Sequence, residues 1–308
     1  METFRDRDII GLAETHIHNL VLDKLAIPGF SRIQFLLREA NSKGKGSGGI
    51  ALFCKPSILK YTTPLASKNE DVIWLKIDKK VCGVDIYLGT IYISPKGNKE
   101  SITKKFNMLH DDILKFKEKG EVFLQGDFNA RTAIKEDVVS PNKFVEEYEL
   151  AHGNFEVPLR NSEDTGTTNI RGDELIELCK SHDLVILNGR KTGDPWGKMT
   201  SHQWNGSAVV DYAISSSNLY NDIIGLRVGD YSPWVSDHCP LSFEITKIKG
   251  YINIDKKATL GKLPKTFHFG PRDQQKYSEV LKSPVMRVKL DLLVLCGNED
   301  PQFLIKND

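Results

Sequence analysis

Four acidic residues share one sequence context, at or near the end of an apolar run. Glu14 ends IIGLAE, Asp127 ends EVFLQGD, Asp211 lies in VVDYAIS and Asp237 follows SPWVS. Such runs are typical of buried strands, and strand ends can converge on one rim of a sheet, where ligands usually bind. The four carboxylates are therefore candidates for one shared site.

Gathered carboxylates repel one another unless a cation lies among them. Hard oxygen ligands select Mg²⁺ or Mn²⁺ over zinc, and such a metal stabilises the charge that builds on a phosphodiester during hydrolysis. Asn129 can donate a hydrogen bond to a phosphate, and His238 can exchange a proton near neutral pH. A strand-end Asp taken alone is usually a turn former or a cap, so this interpretation depends on the whole set.

The elements that must position these residues are mostly strands. Apolar residues at helical spacing predict only two clear helices, over 101–120, ended by Gly120, and over 173–182, starting after Gly172. The order lacks the regular alternation of a doubly wound sheet, so two packed sheets flanked by helices fit better. The predicted strands are 8–15, SRIQFLL and IALFC as a hairpin around 42–49, 72–77, 84–94, EVFLQGD, 184–189, 208–215, 223–229 and 240–246, with a long loop from 132 to 170.

Bulk properties exclude several classes of protein. The 308 residues carry a formal net charge of +1, so any contact with nucleic acid must come from a local basic surface. Five cysteines without a CxxC pair indicate reduced thiols inside the cell and argue against zinc. No apolar stretch approaches the roughly 18–20 residues that span a bilayer, and the charged start is unlike a secretory signal. We therefore expect neither membrane association nor secretion, and see no sign of an obligate protein partner.

Seven segments together carry a resemblance to a known family. They are DIIGLAETHI, GGIALF, GTIYISP, FLQGDFNAR, LNGR, TSHQWNGSAVVDYAIS and VSDHCPLSFEI, spanning residues 8 to 246. The set resembles the endonuclease/exonuclease/phosphatase superfamily, and most closely the apurinic-endonuclease-like domain of LINE-type (non-LTR) retrotransposons. The resemblance implies an α/β fold, a four-layer α-β-β-α sandwich of two mixed sheets flanked by helices. It also implies a divalent-metal-dependent DNA endonuclease that uses Mg²⁺ or Mn²⁺ and acts in the nucleus.

The same resemblance assigns roles residue by residue. Glu14 resembles the metal-binding Glu, and Asp237 lies near the metal. Asp127 resembles the residue that orients or activates the attacking water, and Asn129 helps to hold the phosphate. Tyr92 falls where the family often has a Tyr near the scissile phosphate, with an ordinary core Tyr as the alternative.

The remaining pair of the family motif is a carboxylate and a histidine. Asp211 resembles the carboxylate paired with the active-site imidazole, and His238 matches that imidazole, placed on the phosphate. The general base is disputed in this family, so these labels describe expected contacts more firmly than expected proton transfers.

Three pairs of residues are candidate DNA contacts, and each has a structural alternative. The alternatives are a solvated hairpin tip for the lysines, ordinary strand positions for the hydroxyl residues, and core or rim packing for the aromatic residues. The pairs are Lys43 and Lys45, Thr200 and Ser201, and Trp204 and Trp234.

The two ends of the sequence depart from the expected family pattern. The family begins with a strand carrying an Asn before the Glu strand, and the thirteen residues preceding Glu14 supply neither. We expect that first strand to be missing and catalysis to be impaired as a result. The expected domain covers 1–248, and 249–308 resembles a linker toward an absent reverse transcriptase. A phosphatase of the same superfamily, acting on a small or lipid phosphate, and an inactive remnant remain alternatives.

Overall fold

The computed structural model describes residues 6–16, 25–37, 48–138 and 157–246. Every described residue belongs to one compact unit of the chain, Met1–Tyr251. The predicted linker-like tail from 249 lies outside the described residues. Among the described residues, no helix is long and apolar enough to cross a membrane.

The described elements are thirteen strands, four α-helices and a 3₁₀ helix at Ser217–Asp222. The helices are α1 (Pro56–Leu59), α2 (Lys79–Cys82), α3 (Lys99–Lys117) and α4 (Ile170–Ser181). The strands are β1 (Ile9–Ala13), β2 (Ser31–Leu36), β3 (Ile50–Cys54), β4 (Thr62–Leu65), β5 (Val72–Ile77), β6 (Ile86–Tyr92), β7 (Glu121–Asp127), β8 (Leu184–Ile186), β9 (Ser201–Gln203), β10 (Gly206–Ala208), β11 (Asp211–Ser216), β12 (Ile223–Val228) and β13 (Leu241–Ile245).

A six-stranded sheet forms the centre of the described unit. Its order is β4-β5-β6-β7-β11-β8, with β6 and β7 parallel and every other neighbouring pair antiparallel. Three smaller antiparallel sheets accompany it: β1-β3-β2, the β9–β10 hairpin, and the β12–β13 pair. The parallel step between β6 and β7 is made by α3, as a crossover between parallel strands requires.

Each face of the central sheet has its own hydrophobic core. On one face, α3 and α4 pack their apolar stripes against the sheet, with Phe106, Ile113 and Leu175 buried beside Leu124. On the other face, β3 and β12 pack against the sheet in a second cluster. Burial of apolar surface stabilises a fold by about 25 cal/mol per Å². Both cores therefore help to hold the strand ends in place.

The α/β class and the packing of helices on sheets are confirmed. The prediction of two mixed sheets needs refinement, because only the six-stranded sheet of the described part is mixed. Among the described residues, Cys54, Cys82, Cys179 and Cys239 are free thiols, in keeping with the expected reduced state.

The helix boundaries differ from prediction for reasons of local hydrogen bonding. Helix α4 begins at Ile170 because the Asn169 side chain caps it by accepting from the Gly172 N–H, so the predicted start after Gly172 is late. Helix α3 ends at Lys117, before Gly120. Gly120 instead permits a close approach to the neighbouring chain, since a Cβ there would lie 2.3 Å from the Asp85 carbonyl oxygen.

Candidate active site

A pair of carboxylates from adjacent strands forms the centre of the site. Asp127 ends β7, Asp211 begins β11, and the antiparallel register places the two residues directly opposite each other. Directly opposed residues have Cβ atoms about 4.5–5.5 Å apart. Both side chains are largely buried, with residue exposures of 4% and 8%. Gly126 makes this possible, because a Cβ at its φ of 129° would lie 2.1 Å from the Ile91 carbonyl oxygen.

His238 joins this pair through a direct hydrogen bond to Asp211. The distance from His238 Nδ1 to Asp211 Oδ2 is 2.8 Å. Each of Asp127, Asp211 and His238 has one potential metal-ligand atom, and these three atoms lie within 4.8 Å of one another. Because Nδ1 is held by the carboxylate, Nε2 is the ring nitrogen left to exchange a proton with a ligand. The predicted carboxylate–histidine pairing is therefore present in the geometry.

The backbone of Asp211 is fixed by two neighbours. Thr200 Oγ1 accepts from the Val210 and Asp211 N–H groups, each at 3.0 Å. The Asn188 side chain donates to the Asp211 carbonyl oxygen at 3.2 Å and accepts from the Ala213 N–H at 3.0 Å. These bonds hold the start of β11 against the two segments that contain Thr200 and Asn188.

The electrostatics of the cluster favour a negative centre facing a positive imidazole. Burial raises the pKa of Asp127 to about 7, with the charges of Asp211 and Glu14 adding to the rise and His238 opposing it. Burial lowers the pKa of His238, but the hydrogen bond and charge of Asp211 outweigh it, so that this pKa stands at about 9. At neutral pH the imidazole is therefore protonated, while Asp127 titrates close to neutrality.

Glu14 reaches the same cluster from the end of β1. The Tyr92 hydroxyl donates to Glu14 Oε1 at 2.7 Å, while the Tyr92 ring is buried and belongs to the core. The core alternative describes the Tyr92 ring, whose hydroxyl also orients the candidate metal ligand, and the expected place of Tyr92 near the scissile phosphate stays a prediction. Glu14 has a φ of 52°, a left-handed conformation that costs a non-glycine residue roughly 1–2 kcal/mol.

Asn129 is committed to Asp127 in this arrangement. Its backbone N–H donates to Asp127 Oδ1 at 2.8 Å, and its side-chain nitrogen donates to Asp127 Oδ2 at 2.8 Å and to the Ile93 carbonyl oxygen at 2.9 Å. Both amide protons are therefore engaged, and the amide orients the carboxylate. The expected contact between Asn129 and phosphate stays a prediction.

Asp237 lies on the exposed side of the cluster. The His202 N–H donates to the Asp237 carbonyl oxygen at 2.7 Å, and Ser201 forms a β-bridge with His238, so this segment is held against the β9–β10 hairpin. The Asp237 charge raises the pKa of both Asp211 and His238. Asp237 is therefore near the buried pair without being buried itself.

The candidate DNA contacts separate into three groups. Thr200 and Ser201 are buried, which favours the strand alternative for them. Trp204 and Trp234 have exposures of 97% and 96%, so the packing alternative does not describe them. Lys43 and Lys45 lie outside the described residues.

Some residues that shape the site were not identified from the sequence. Asn169 caps α4, donates to the Asn129 carbonyl oxygen at 2.9 Å and accepts from the Arg131 N–H at 3.1 Å. Thr200, which was expected only as a DNA contact, and Asn188 support Asp211 as described above. The signal for Asn169 was present, because an Asn preceding a helical pattern is a typical N-cap. Asn188 lies in the LNGR segment of the resemblance, but that segment did not indicate its supporting role.

The donor set of the cluster suits a hard divalent cation. Glu14, Asp127, Asp211 and Asp237 outnumber the one imidazolium, and after burial the charges of Asp211 and Glu14 contribute to the raised pKa of Asp127. Oxygen ligands of this kind match Mg²⁺ or Mn²⁺. A protonated His238 is a poor metal ligand, so the carboxylates are the residues that would hold the ion.

Comparison with solved structures places the chain in a known fold. AP endonuclease LMAP from Leishmania major is 15% identical, with a TM-score of 0.52 over 77% of this chain and 77% of that one. The endonuclease domain of TRAS1, a telomere-specific non-LTR retrotransposon, is 16% identical, with a TM-score of 0.46 over 77% and 85%. The 3′ phosphatase NExo from Neisseria, bound to a product DNA hairpin, is 16% identical, with a TM-score of 0.48 over 78% and 89%.

Sequence comparisons find no relative. No model of a known protein family matches the chain, and no curated protein matches it. The likeness to LMAP is therefore a likeness of fold.

Proposed function

We propose that this chain, which has the endonuclease/exonuclease/phosphatase fold, is a divalent-metal-dependent endonuclease that hydrolyses phosphodiester bonds in DNA. The observation that carries the proposal is the meeting of Asp127, Asp211 and His238 at one rim, with Nδ1 held 2.8 Å from Asp211. Phosphodiester hydrolysis needs a group that accepts a proton from water and a group that stabilises the phosphoryl oxygens. A carboxylate can do the first and an imidazolium the second.

In the proposed reaction, Asp127 receives the attacking water. Its pKa of about 7 lets the carboxylate accept a hydrogen bond or a proton from water near neutral pH. Asn129 fixes both oxygens of that carboxylate through the bonds described above. The oxygen of the water forms a bond to phosphorus, and an ester bond from phosphorus to a sugar oxygen breaks.

His238 stabilises the charge that develops on the phosphate. Its pKa of about 9 keeps the imidazole protonated at neutral pH, so that Nε2–H can donate to a phosphoryl oxygen. Asp211 holds the ring in the orientation that makes this possible and, through its own charge, favours the protonated form. Donors placed in this way before the reaction contribute about 2.7–4 kcal/mol each in comparable sites.

Glu14 and Asp237 are the proposed metal ligands, at the exposed side of the buried pair. Tyr92 orients Glu14, and the segment pairing with β9 holds Asp237. When bound, Mg²⁺ or Mn²⁺ would neutralise charge on the phosphodiester and on the leaving oxygen. The strained backbone of Glu14 fits a residue held in place for function.

DNA is the proposed substrate, and the nicking of a retroelement target site is the proposed biological role. The exposed Trp204 and Trp234 stand on the hairpin and the loop that flank the site, and stacking of bases on aromatic side chains is worth about 1–3 kcal/mol per base. A nuclear location would follow from action on chromosomal DNA.

Relaxation of a supercoiled plasmid tests the proposal. We expect nicking with Mg²⁺, none with excess chelator, and loss of nicking in His238→Gln. The matched control is His202→Gln, because His202 belongs to the neighbouring hairpin and its ring contacts Ser207 and Tyr231. Asp237→Asn and Asp230→Asn form a second pair, in which only the first change removes a proposed metal ligand.

Three outcomes would contradict the proposal. Nicking that survives both His238→Gln and Asp237→Asn would show that the reaction occurs elsewhere. Hydrolysis of a phosphoinositide without plasmid nicking would favour the phosphatase. A folded protein without either activity would favour the inactive remnant.

A further inference from the structure

Arg171 is a buried cation beside the candidate active site. It lies in the first turn of α4 and has an exposure of 8%. Its Nη2 donates to the Lys96 carbonyl oxygen at 3.1 Å, and its buried Nε has no hydrogen-bond partner among the described residues. A guanidinium removed from water without a balancing anion costs free energy. Its burial therefore calls for a functional or structural reason.

The start of α4 is attached to the turn that carries Asp127 and Asn129. Asn169, two residues before Arg171, bonds through its side chain to the Asn129 carbonyl oxygen and the Arg131 N–H. Burial lowers the pKa of Arg171, and the charge of Asp127 opposes this shift. The end of β7 and the start of α4 therefore meet beside the carboxylate cluster.

An incoming phosphate needs positive charge at this place. The cluster contributes the carboxylates of Asp127, Asp211 and Asp237 against one imidazolium, so a bare phosphodiester would be repelled. The N-terminus of α4 carries the positive end of its helix dipole, and the planar guanidinium suits phosphate oxygens. The partnerless Nε of Arg171 is a second, independent indication of an anion at this helix start.

We propose that Arg171 binds a phosphate group of the DNA strand held in the active site. The proposal rests on the proposed nuclease function and deepens it by naming a substrate-binding residue outside the predicted set. Arg171 acts on binding, since the proposed function gives the water to Asp127 and the phosphoryl oxygen to His238, and a bound metal would neutralise charge on the leaving oxygen. The structural alternative is that Arg171 only ties α4 to the segment that contains Lys96.

Binding of DNA at different salt concentrations separates these two interpretations. The probe is a short fluorescein-labelled DNA duplex, measured by fluorescence anisotropy with chelator present so that it is not cut. We expect Arg171→Gln to weaken binding about ten-fold or more, as for loss of a charged hydrogen bond. We expect the slope of log Kd against log salt to fall by about 0.9, the value for one lost phosphate contact.

Two further variants sharpen the result. Arg171→Lys keeps the positive charge but loses the planar guanidinium, which can donate two parallel hydrogen bonds to one phosphate. It should therefore restore the salt slope while recovering only part of the affinity. Lys135→Gln removes a positive charge from an exposed ion pair with Asp173 of the same helix, and should leave both quantities unchanged. Thermal unfolding of each variant, followed by circular dichroism, reports any structural effect separately.

The outcomes distinguish this inference from the proposed function. Wild-type protein that nicks plasmid, together with an Arg171→Gln protein that binds with the wild-type affinity and slope, would overturn the role of Arg171 alone. A lowered melting temperature with an unchanged slope would establish the structural alternative. Wild-type protein that neither binds nor nicks DNA would overturn both proposals.

Discussion

Two histidine pairs in this molecule have the same hydrogen-bond length and opposite chemistry. His238 Nδ1 lies 2.8 Å from an Asp211 carboxylate oxygen, and His182 Nε2 lies 2.8 Å from His110 Nδ1. The first imidazole has its pKa raised to about 9, and the second has its pKa lowered to about 4. The partner, more than the distance, decides which form of a histidine is stable.

The surroundings of the two rings explain the difference. Burial lowers both pKa values, but for His238 the carboxylates Asp211, Asp127 and Asp237 outweigh it. For His182 the charges of His110 and Lys117 add to the effect of burial. The His182 ring is stacked at a tilt on the His110 ring of α3, with centroids 4.4 Å apart, so this pair joins the C-terminal end of α4 to α3. The proposed function uses the first pair in the reaction, whereas the second pair packs two helices together.

The largest expected effect breaks the comparison at His238. We expect His238→Gln to reduce the rate of plasmid nicking by about 10²–10⁴-fold, the usual contribution of a positioned acid or base. We expect His182→Gln to nick at close to the wild-type rate under conditions where it is folded. Equal losses in the two variants would mean that His238 has no special role in the reaction.

A smaller effect is expected when the partner of His238 is changed. Asp211→Asn keeps the size of the side chain and removes the charge that raises the imidazole pKa. We expect that pKa, followed by NMR titration of the ring protons, to fall from about 9 toward its ordinary value near 6.5. We expect nicking above pH 7 to fall more steeply than at pH 6, because the neutral ring no longer donates a proton. An unchanged titration curve would contradict the proposed pairing.

The pH dependence of stability should show the two pairs with opposite sign. The folded pKa of His182 is below its ordinary value of 6.5, so the unfolded chain binds a proton first and stability is lost as pH falls from 6.5 toward 4. The folded pKa of His238 is above 6.5, so its contribution is complete below pH 6.5 and is lost as pH rises toward 9. At roughly 1.4 kcal/mol for each pH unit between the folded and the ordinary pKa, each contribution should be on the order of 3 kcal/mol.

Urea unfolding across this pH range measures the effect. The free energy of unfolding of His182→Gln should vary less than that of wild type on the acid side, and that of His238→Gln should vary less on the alkaline side. Variants that alter the same side of the profile would show that the two rings do not differ as described.

The smallest expected effect concerns Trp234, in the loop that flanks the candidate site. Trp234, three residues before Asp237, is almost fully exposed. We expect Trp234→Ala to weaken binding of a single-stranded DNA probe roughly five-fold, near the low end for loss of one stacked base. Trp196→Ala is the control, because Trp196 is also exposed but belongs to neither the hairpin nor the loop that flanks the site. An equal loss in both variants would count against a specific contact at Trp234.

Many strands of the fold were predictable from the sequence alone. The runs ending at Ala13 and Asp127, and those that form β5, β12 and β13, are short, apolar and bounded by turn residues, so period and composition sufficed. The short strands β4, β9 and β10 were missed, because three or four residues carry too little pattern. The start of α4 was missed because the cap at Asn169 was overlooked in favour of Gly172.

The candidate site was predictable as a set of residues but less so as a set of contacts. The carboxylates and the imidazole were recognisable from their motifs. The engagement of the Asn129 amide with Asp127, and the support of Asp211 by Thr200 and Asn188, were not. These contacts join residues up to 23 positions apart in the chain. Their geometry depends on strand pairing, which composition and spacing do not specify.

The alignment of β7 with β11 has a consequence for how such a protein tolerates change in its length. Side chains alternate between the two faces of a strand, so adding or deleting one residue within β11 would turn Asp211 away from Asp127 while leaving an equally long ladder of backbone bonds. Such a variant would keep the paired strands but lose the opposed arrangement of Asp127 and Asp211. Insertions at exposed loop tips away from the candidate site should be tolerated better than a change of length within either strand.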